Sequence, residues 1–161
     1  HPNSRRQRQM CIRDRSTATA NVDENQQAVG TYAASDADGT ATQTYSILTA
    51  AQNAASVDHD LFSVASGGVL TFATAPNYES AGCGSGDDSN TCVVVIQVTD
   101  GANTDTITVT VNVQDVNEFS PEFGDGATAT ATPNENQQAV GTYAATDADG
   151  TATQTLSLIH I

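Results

Sequence analysis

Lysine and tryptophan are missing from this chain of 161 residues, and arginine is confined to its head, at Arg5, Arg6, Arg8, Arg13 and Arg15. From Ser16 onward there is no basic side chain other than histidine. A body without cations cannot exchange them for the counterions of nucleic acid or of anionic lipid, so both are excluded as partners. Aromatic residues are also scarce, with four Phe and four Tyr, and the apolar content leans on Ala, which buries little area. The core is therefore thin, and a bound ion that favours the native state would offset that by linkage. No run of 18 apolar residues is present, so no helical membrane span is predicted and no insertion into a membrane. The chain does have acid: 19 Asp and Glu against 5 Arg, for a net charge of −14. Such a body attracts cations. The plainer alternative is a solvated acidic surface that serves solubility.

The three cysteines divide unequally. Cys11 lies in the basic head. Cys83 and Cys92 bracket a polar, glycine-containing loop, Gly84 to Thr91. A disulfide closing that loop fits an oxidising compartment, and the alternative is two free thiols. No histidine lies near them, which argues against zinc. Residues 1–15 differ abruptly in composition from the rest and lack the apolar core of a signal peptide. They read as a non-native or disordered head and are left out of the fold. Residues 157–161 break off in mid-pattern.

An internal repeat organises the remainder. Glu24 to Tyr32 recurs as Glu135 to Tyr143, and the match continues to Thr44 and Thr155, with only Ser35 and Thr146 differing. The offset suits tandem domains rather than the turns of a solenoid. Within the first copy the period is that of strands. Ile107, Val109, Val111 and Val113 alternate with Thr106, Thr108, Thr110 and Asn112. Val94, Ile96 and Val98 alternate with Val95, Gln97 and Thr99. Strands are expected also at 17–22, 28–33, 44–48, 61–64 and 69–72, the last two joined as a hairpin through Ser66-Gly67-Gly68. The Ala-rich stretch 49–55 is read as a single helical turn. Seven short strands with turns between them predict an all-β fold, a seven-stranded Greek-key sandwich, followed by a truncated second copy. That second copy, only some 40 residues, falls below the size at which a domain usually holds itself together, so loose order is expected there.

The acids cluster at strand ends: Asp23-Glu24, Asp36-Ala37-Asp38, Asn77-Tyr78-Glu79, Asp100-Gly101 and Asp115-Val116-Asn117-Glu118. Residues i and i+2 of extended chain point the same way, so Asp36 and Asp38 can share a ligand. Crowded carboxylates repel, and a hard cation with six to eight oxygen ligands removes that cost. An oxygen-only donor set favours Ca²⁺ over transition metals, with Mg²⁺ the lesser option.

The series Asp-Glu-Asn (23–25), Asp-Ala-Asp (36–38), Leu-Phe-Ser (61–63), Gly-Val-Leu-Thr-Phe (68–72), Asn-Tyr-Glu (77–79), Val-Thr-Asp-Gly (98–101) and Asp-Val-Asn-Glu-Phe-Ser-Pro-Glu-Phe (115–123) resembles a cadherin repeat and its linker. It is most similar to the cadherin-like repeats of large secreted bacterial adhesins. The resemblance covers nearly all of residues 16–123. It implies a first repeat over 16–118 and a partial second over 119–161. It also implies calcium between consecutive repeats. Glu24 and Glu79 would come from repeat one, Asp115, Asn117 and Glu118 from the linker, with the carbonyls of Val116 and Phe119, and Asp147 and Asp149 from repeat two. Asp36, Asp38 and Asp100 would face a preceding repeat, and Glu135 a third. Three positions depart from the pattern: Asn77 and Glu118 each stand where Asp is usual, and Phe119 where Asn is usual. No Trp is available for strand swapping. The implied partners are neighbouring repeats of the same chain and a homophilic or cell-surface partner, and the implied place is outside the cell or on its surface. The implied function is an adhesive module or calcium-stiffened spacer. The rivals are a carbohydrate- or protein-binding module and an accessory domain of a secreted enzyme.

Other motifs carry less. Asp87-Asp88 reads as a solvated loop tip and Gly124-Asp125-Gly126 as a flexible link. His59, between Asp58 and Asp60, has no nucleophile pattern beside it, so catalysis is not expected.

Overall fold

β-Branched residues dominate the strands, since their stiff side chains suit a pleated surface. The computed structural model describes residues 16–37, 42–80, 82–84, 89–126, 128–150 and 154–158. The chain divides into two units, His1–Gln114 and Asp115–Ile161.

Among the described residues the first unit holds seven strands: β1 (Ser16–Asp23), β2 (Ala28–Thr31), β3 (Thr44–Ile47), β4 (Phe62–Ala65), β5 (Val69–Phe72), β6 (Thr91–Thr99) and β7 (Thr104–Gln114). They form two sheets, one ordered β1-β7-β6-β3 and the other β2-β5-β4. β1 runs parallel to β7 in unbroken register from Ser16↔Ile107 to Asp23↔Gln114. All other pairs in this unit are antiparallel. The seven-stranded sandwich read from the sequence is the fold observed.

The alternation of apolar and polar residues sorts the sheet faces. Val109, Val111 and Val113 of β7 and Cys92, Val94 and Ile96 of β6 are buried, together with Val22, Leu70, Phe62 and Phe72. The Phe62 and Phe72 rings lie 4.5 Å apart between centroids. Each such side chain contributes about 1.5–3 kcal/mol by leaving water. Cys83 and Cys92 are joined as a disulfide within this cluster, with their Cα atoms 4.7 Å apart.

One expectation needs correction. Val95 alternates with the core face of β6, yet it too is fully buried. The segment after β3 crosses that outer face: Leu48 N–H donates to the Val95 carbonyl at 2.9 Å, and Val95 N–H donates to Ser56 Oγ at 3.1 Å. The single helical turn expected at 49–55 is present as one hydrogen-bonded turn, Asn53 N–H donating to the Thr49 carbonyl at 2.9 Å, and it goes no further, because Asn53 Oδ1 then accepts from Ala55 N–H. Asn side chains compete with the helix in this way. A 3₁₀ turn follows at His59–Leu61.

The second unit has two short strands, β8 (Glu122–Phe123) and β9 (Ala145–Thr146), paired antiparallel. Among the described residues, the copies of β1 and β2 in this unit are not strands. Local geometry repeats nonetheless: Asn25 and Asn136 both have φ of 62°, a left-handed conformation that Asn tolerates better than most residues. Gly124-Asp125-Gly126, read as a flexible link, forms a turn in which Gly126 N–H donates to the Phe123 carbonyl at 2.9 Å.

Candidate metal centre

β1 and β7 end side by side, and this brings the first acids together. Glu24 follows β1 and donates its N–H to the Gln114 carbonyl, the last of β7, at 3.0 Å. Asp115 is the next residue after Gln114. The third partner, Glu79, lies beyond β5, where Asn25 N–H donates to the Pro76 carbonyl at 2.9 Å and ties that loop to the end of β1. Glu24, Glu79 and Asp115 each offer a carboxylate oxygen, and these atoms all lie within 4.8 Å of one another. Glu24 is buried, at 3% exposure, while Asp115 is half-buried and Glu79 exposed. Glu24 Oε2 accepts the Tyr78 N–H at 2.7 Å, which fixes the carboxylate toward the group.

Oxygen atoms bound to one Ca²⁺ at 2.3–2.6 Å lie at most about 5.2 Å apart. The spacing of these three falls inside that limit. The set is acidic, oxygen-only and partly withdrawn from water, the donor chemistry a hard cation takes.

The remaining expected ligands sit elsewhere. Asp36 and Asp100 line an open cavity that also borders Ser16, at the start of β1, so they stand at the other end of that strand from Glu24. Asp38 lies outside the described residues. Asp100 caps the β6–β7 turn: its Oδ1 accepts N–H groups from Ala102 at 2.7 Å and Asn103 at 2.6 Å, and its Oδ2 accepts from Asn103 Nδ2 at 3.3 Å. Those donors, Asn103 first and then Ala102, hold its carboxyl below the usual aspartate value. In the second unit, Asp149 is buried at 4% exposure, and its Oδ2 accepts the Phe119 N–H at 3.0 Å. Asp147 Oδ1 accepts the Asp149 N–H at 3.2 Å, so both aspartates of that pair share one local turn. Asn117, Glu118 and Glu135 are exposed.

Three residues escaped the sequence reading. Asp58 and Ser56 are buried polar residues that hydrogen-bond β6. Asp105 joins Asp36 and Asp100 on the cavity wall. The i, i+2 spacing of Ser56 and Asp58 was the one available signal. His59 Nδ1 lies 3.0 Å from the Ser56 carbonyl and Nε2 lies 3.4 Å from Asp60 Oδ1.

Two sheets of four and three strands, with carboxylates gathered where β1 and β7 end, make up a β-sandwich. The solved structures it resembles are cadherin extracellular domains, and the chain has their fold. Human protocadherin-24 EC1-2 matches over 80% of this chain and 55% of its own, at a TM-score of 0.57 and 22% identity. Human CDH23 EC21-23 matches over 82% of this chain and 45% of its own, at 0.52 and 21%. The protocadherin gamma B4 extracellular domain matches over 84% of this chain and 23% of its own, at 0.54 and 18%. The chain thus spans about half the length of the first of these, or less of the others. No protein-family model and no curated protein matches it.

Proposed function

We propose that this chain is a calcium-binding, non-enzymatic module from outside the cell or its surface, a piece of a tandem cadherin-like array that acts as an adhesive element or ion-stiffened spacer. The observation that carries the reading is the convergence of Glu24, Glu79 and Asp115 within 4.8 Å at the end of β1. In this reading residues 16–118 are one repeat and 119–161 the start of the next. Asn117, Glu118, Asp147 and Asp149 complete the ion shell, while Asp36, Asp38 and Asp100 serve a preceding repeat. The bound cation supplies positive charge that cancels the repulsion among the carboxylates. The chain's own residues hold the oxygens in place, through the Glu24 backbone on Gln114 and the Tyr78 N–H on its carboxylate. The disulfide suits an oxidising compartment, and no helix among the described residues is long and apolar enough to cross a membrane.

The test is thermal unfolding of the chain with calcium raised through the ~10⁻⁴–10⁻³ M at which extracellular modules commonly bind. The melting temperature rises with calcium and returns on chelation. A melting temperature indifferent to saturating calcium defeats the reading.

A further inference from the structure

Glu79 is the exposed member of the acidic group at the end of β1. Among the described residues no hydrogen bond or ion pair holds its side chain. Where its carboxylate sits therefore depends on its backbone.

That backbone is gripped at Tyr78, the residue before it. The Tyr78 N–H donates to Glu24 Oε2 at 2.7 Å, and the Tyr78 carbonyl accepts from Asn90 Nδ2 at 3.0 Å. This carbonyl belongs to the planar peptide that also carries the Glu79 N–H, so fixing it fixes the direction in which Glu79 leaves the loop. Ser80 N–H donates to Asn77 Oδ1 at 2.7 Å and closes the turn around Glu79. Packing does less here. A cavity of about 310 Å³ is lined by Pro76, Asn77 and Ser80 of the loop, by Asn90 just before β6, and by Val113 of β7. With space beside the loop, the hydrogen bonds set its place.

Asn90 is itself held in register with β7. Its carbonyl accepts the Val113 N–H at 2.8 Å, and Asp115 lies two residues beyond Val113. The disulfide steadies this end of β6: Cys92 is fully buried and bonded to Cys83, whose N–H donates to the Ser89 carbonyl at 3.1 Å. One residue thus grips the Glu79 peptide with its side chain and the strand leading to Asp115 with its backbone.

We infer that Asn90 is a positioning residue for the cation that Glu24, Glu79 and Asp115 would share. It touches no ion, and it holds the Tyr78–Glu79 peptide so that the Glu79 carboxylate is in place before the ion arrives. The inference rests on the calcium reading of this site. A loop already ordered has less freedom to lose on binding. Without the Asn90 donor the peptide is free to turn, the ion has to order Glu79 itself, and calcium is held about three- to tenfold more weakly, the range of one hydrogen bond.

The test is calcium calorimetry and amide NMR on the full chain, comparing the parent with Asn90→Ala, Asn90→Ser, Glu79→Gln and the double variant Asn90→Ala/Glu79→Gln. Asn90→Ser, with a hydroxyl too short to reach the Tyr78 carbonyl, repeats the test in a side chain that disturbs the fold differently. In chelator, the Glu79 amide signal is expected to move in both Asn90 variants, because its peptide has lost a donor. With calcium, Kd is expected to rise about three- to tenfold in both. The Asn90→Ala loss should shrink to under about twofold once Glu79 is Gln, since the two residues act as one. A parent chain that takes up no calcium overturns the calcium reading and this inference with it. Where the parent binds, three results each overturn the inference alone: an unmoved Glu79 amide in chelator, an unchanged Kd in both Asn90 variants, or an undiminished loss on the Glu79→Gln background.

Discussion

Asp58 and Val93 are joined twice. The Asp58 N–H donates to the Val93 carbonyl at 3.2 Å, and Asp58 Oδ2 accepts the Val93 N–H at 2.6 Å. The side chain thereby does for β6 what a neighbouring strand would do beyond the last β3 pair, Ile47↔Ile96. Ser56 Oγ repeats the device two residues on, at Val95. The other carboxylate oxygen of Asp58 accepts the Gly84 N–H at 2.6 Å, next to the disulfide.

Asp58→Ala therefore strips partners from two N–H groups at once. An unpaired buried donor costs about 1–3 kcal/mol. Asp58→Asn is also expected to destabilise, because its NH₂ would face one of those donors. Urea denaturation measures both. A loss under about 0.5 kcal/mol for Asp58→Ala would show that water replaces the carboxylate without cost.

The disulfide offers a second test. Cys83 and Cys92 are nine positions apart. Closing a loop of that length removes unfolded-state entropy worth about 2.5–3 kcal/mol. Replacing both cysteines by Ala should lower the melting temperature by roughly 10 °C or more, given 4–8 °C per kcal/mol in a domain of this size. An unchanged melting temperature would mean that neither the bond nor the packing of its sulfurs holds this loop.

How far the sequence disclosed this arrangement depends on the range of the interaction. The Val-Thr alternation of β6 and β7 reports on the two faces of one strand, and so it is visible locally. The Ala-rich turn at 49–55 is also a local feature: Thr49 N–H donates to Gln52 Oε1 at 2.9 Å, which caps its start, while Asn53 Oδ1 takes the Ala55 N–H and ends it after one turn. The roles of Ser56 and Asp58 depend on where β3 stops pairing with β6, a tertiary fact that no local pattern records. Of the proposed ligands, Glu24 and Asp115 are brought together by the parallel register of β1 on β7. The sequence motifs mark these acids, but that register is a property of the fold.

Asp100 provides a pH test. Its carboxyl is held below the ordinary aspartate value of 3.8 by the Asn103 N–H first, then the Ala102 N–H, then the Asn103 side chain. A lowered value in the folded state means that the contribution to stability is present above the unfolded-state pKa and is lost as pH falls through the folded one. A carboxyl-carbon NMR titration should place the Asp100 midpoint below 3.8. Asn103→Ala should bring it only part of the way back, since the two backbone donors remain. A midpoint at or above 3.8 in the unaltered chain contradicts this account of the turn.

Glu24→Gln separates ion binding from folding. The amide oxygen can still accept the Tyr78 N–H, now held at 2.7 Å, while the charge is removed. In chelator the variant should melt at or slightly above the parent temperature, because fewer like charges crowd the end of β1. Calcium affinity by calorimetry should fall at least about tenfold. An E24Q chain that binds calcium as tightly as its parent would remove Glu24 from the proposed shell.

Gly67 and Gly68 form a pair of neighbours with unequal demands. Both have left-handed backbones, with φ of 79° and 77°. A Cβ on Gly67 would meet nothing within 4 Å, so Gly67→Ala carries only conformational strain, about 1 kcal/mol. A Cβ on Gly68 would fall 2.2 Å from the Tyr32 carbonyl oxygen. That backbone cannot retreat freely, because Tyr32 N–H donates to the Gly68 carbonyl at 2.8 Å and so ties the β4–β5 turn to the chain just after β2. Gly68→Ala must either break this bond or push the two segments apart, adding about 1–3 kcal/mol to the strain. Denaturation of the two single variants should therefore show Gly68→Ala as clearly the more harmful. Equal losses would mean that the turn moves away from Tyr32 without cost, and that the contact between Gly68 and Tyr32 is not what sets the spacing of the second sheet.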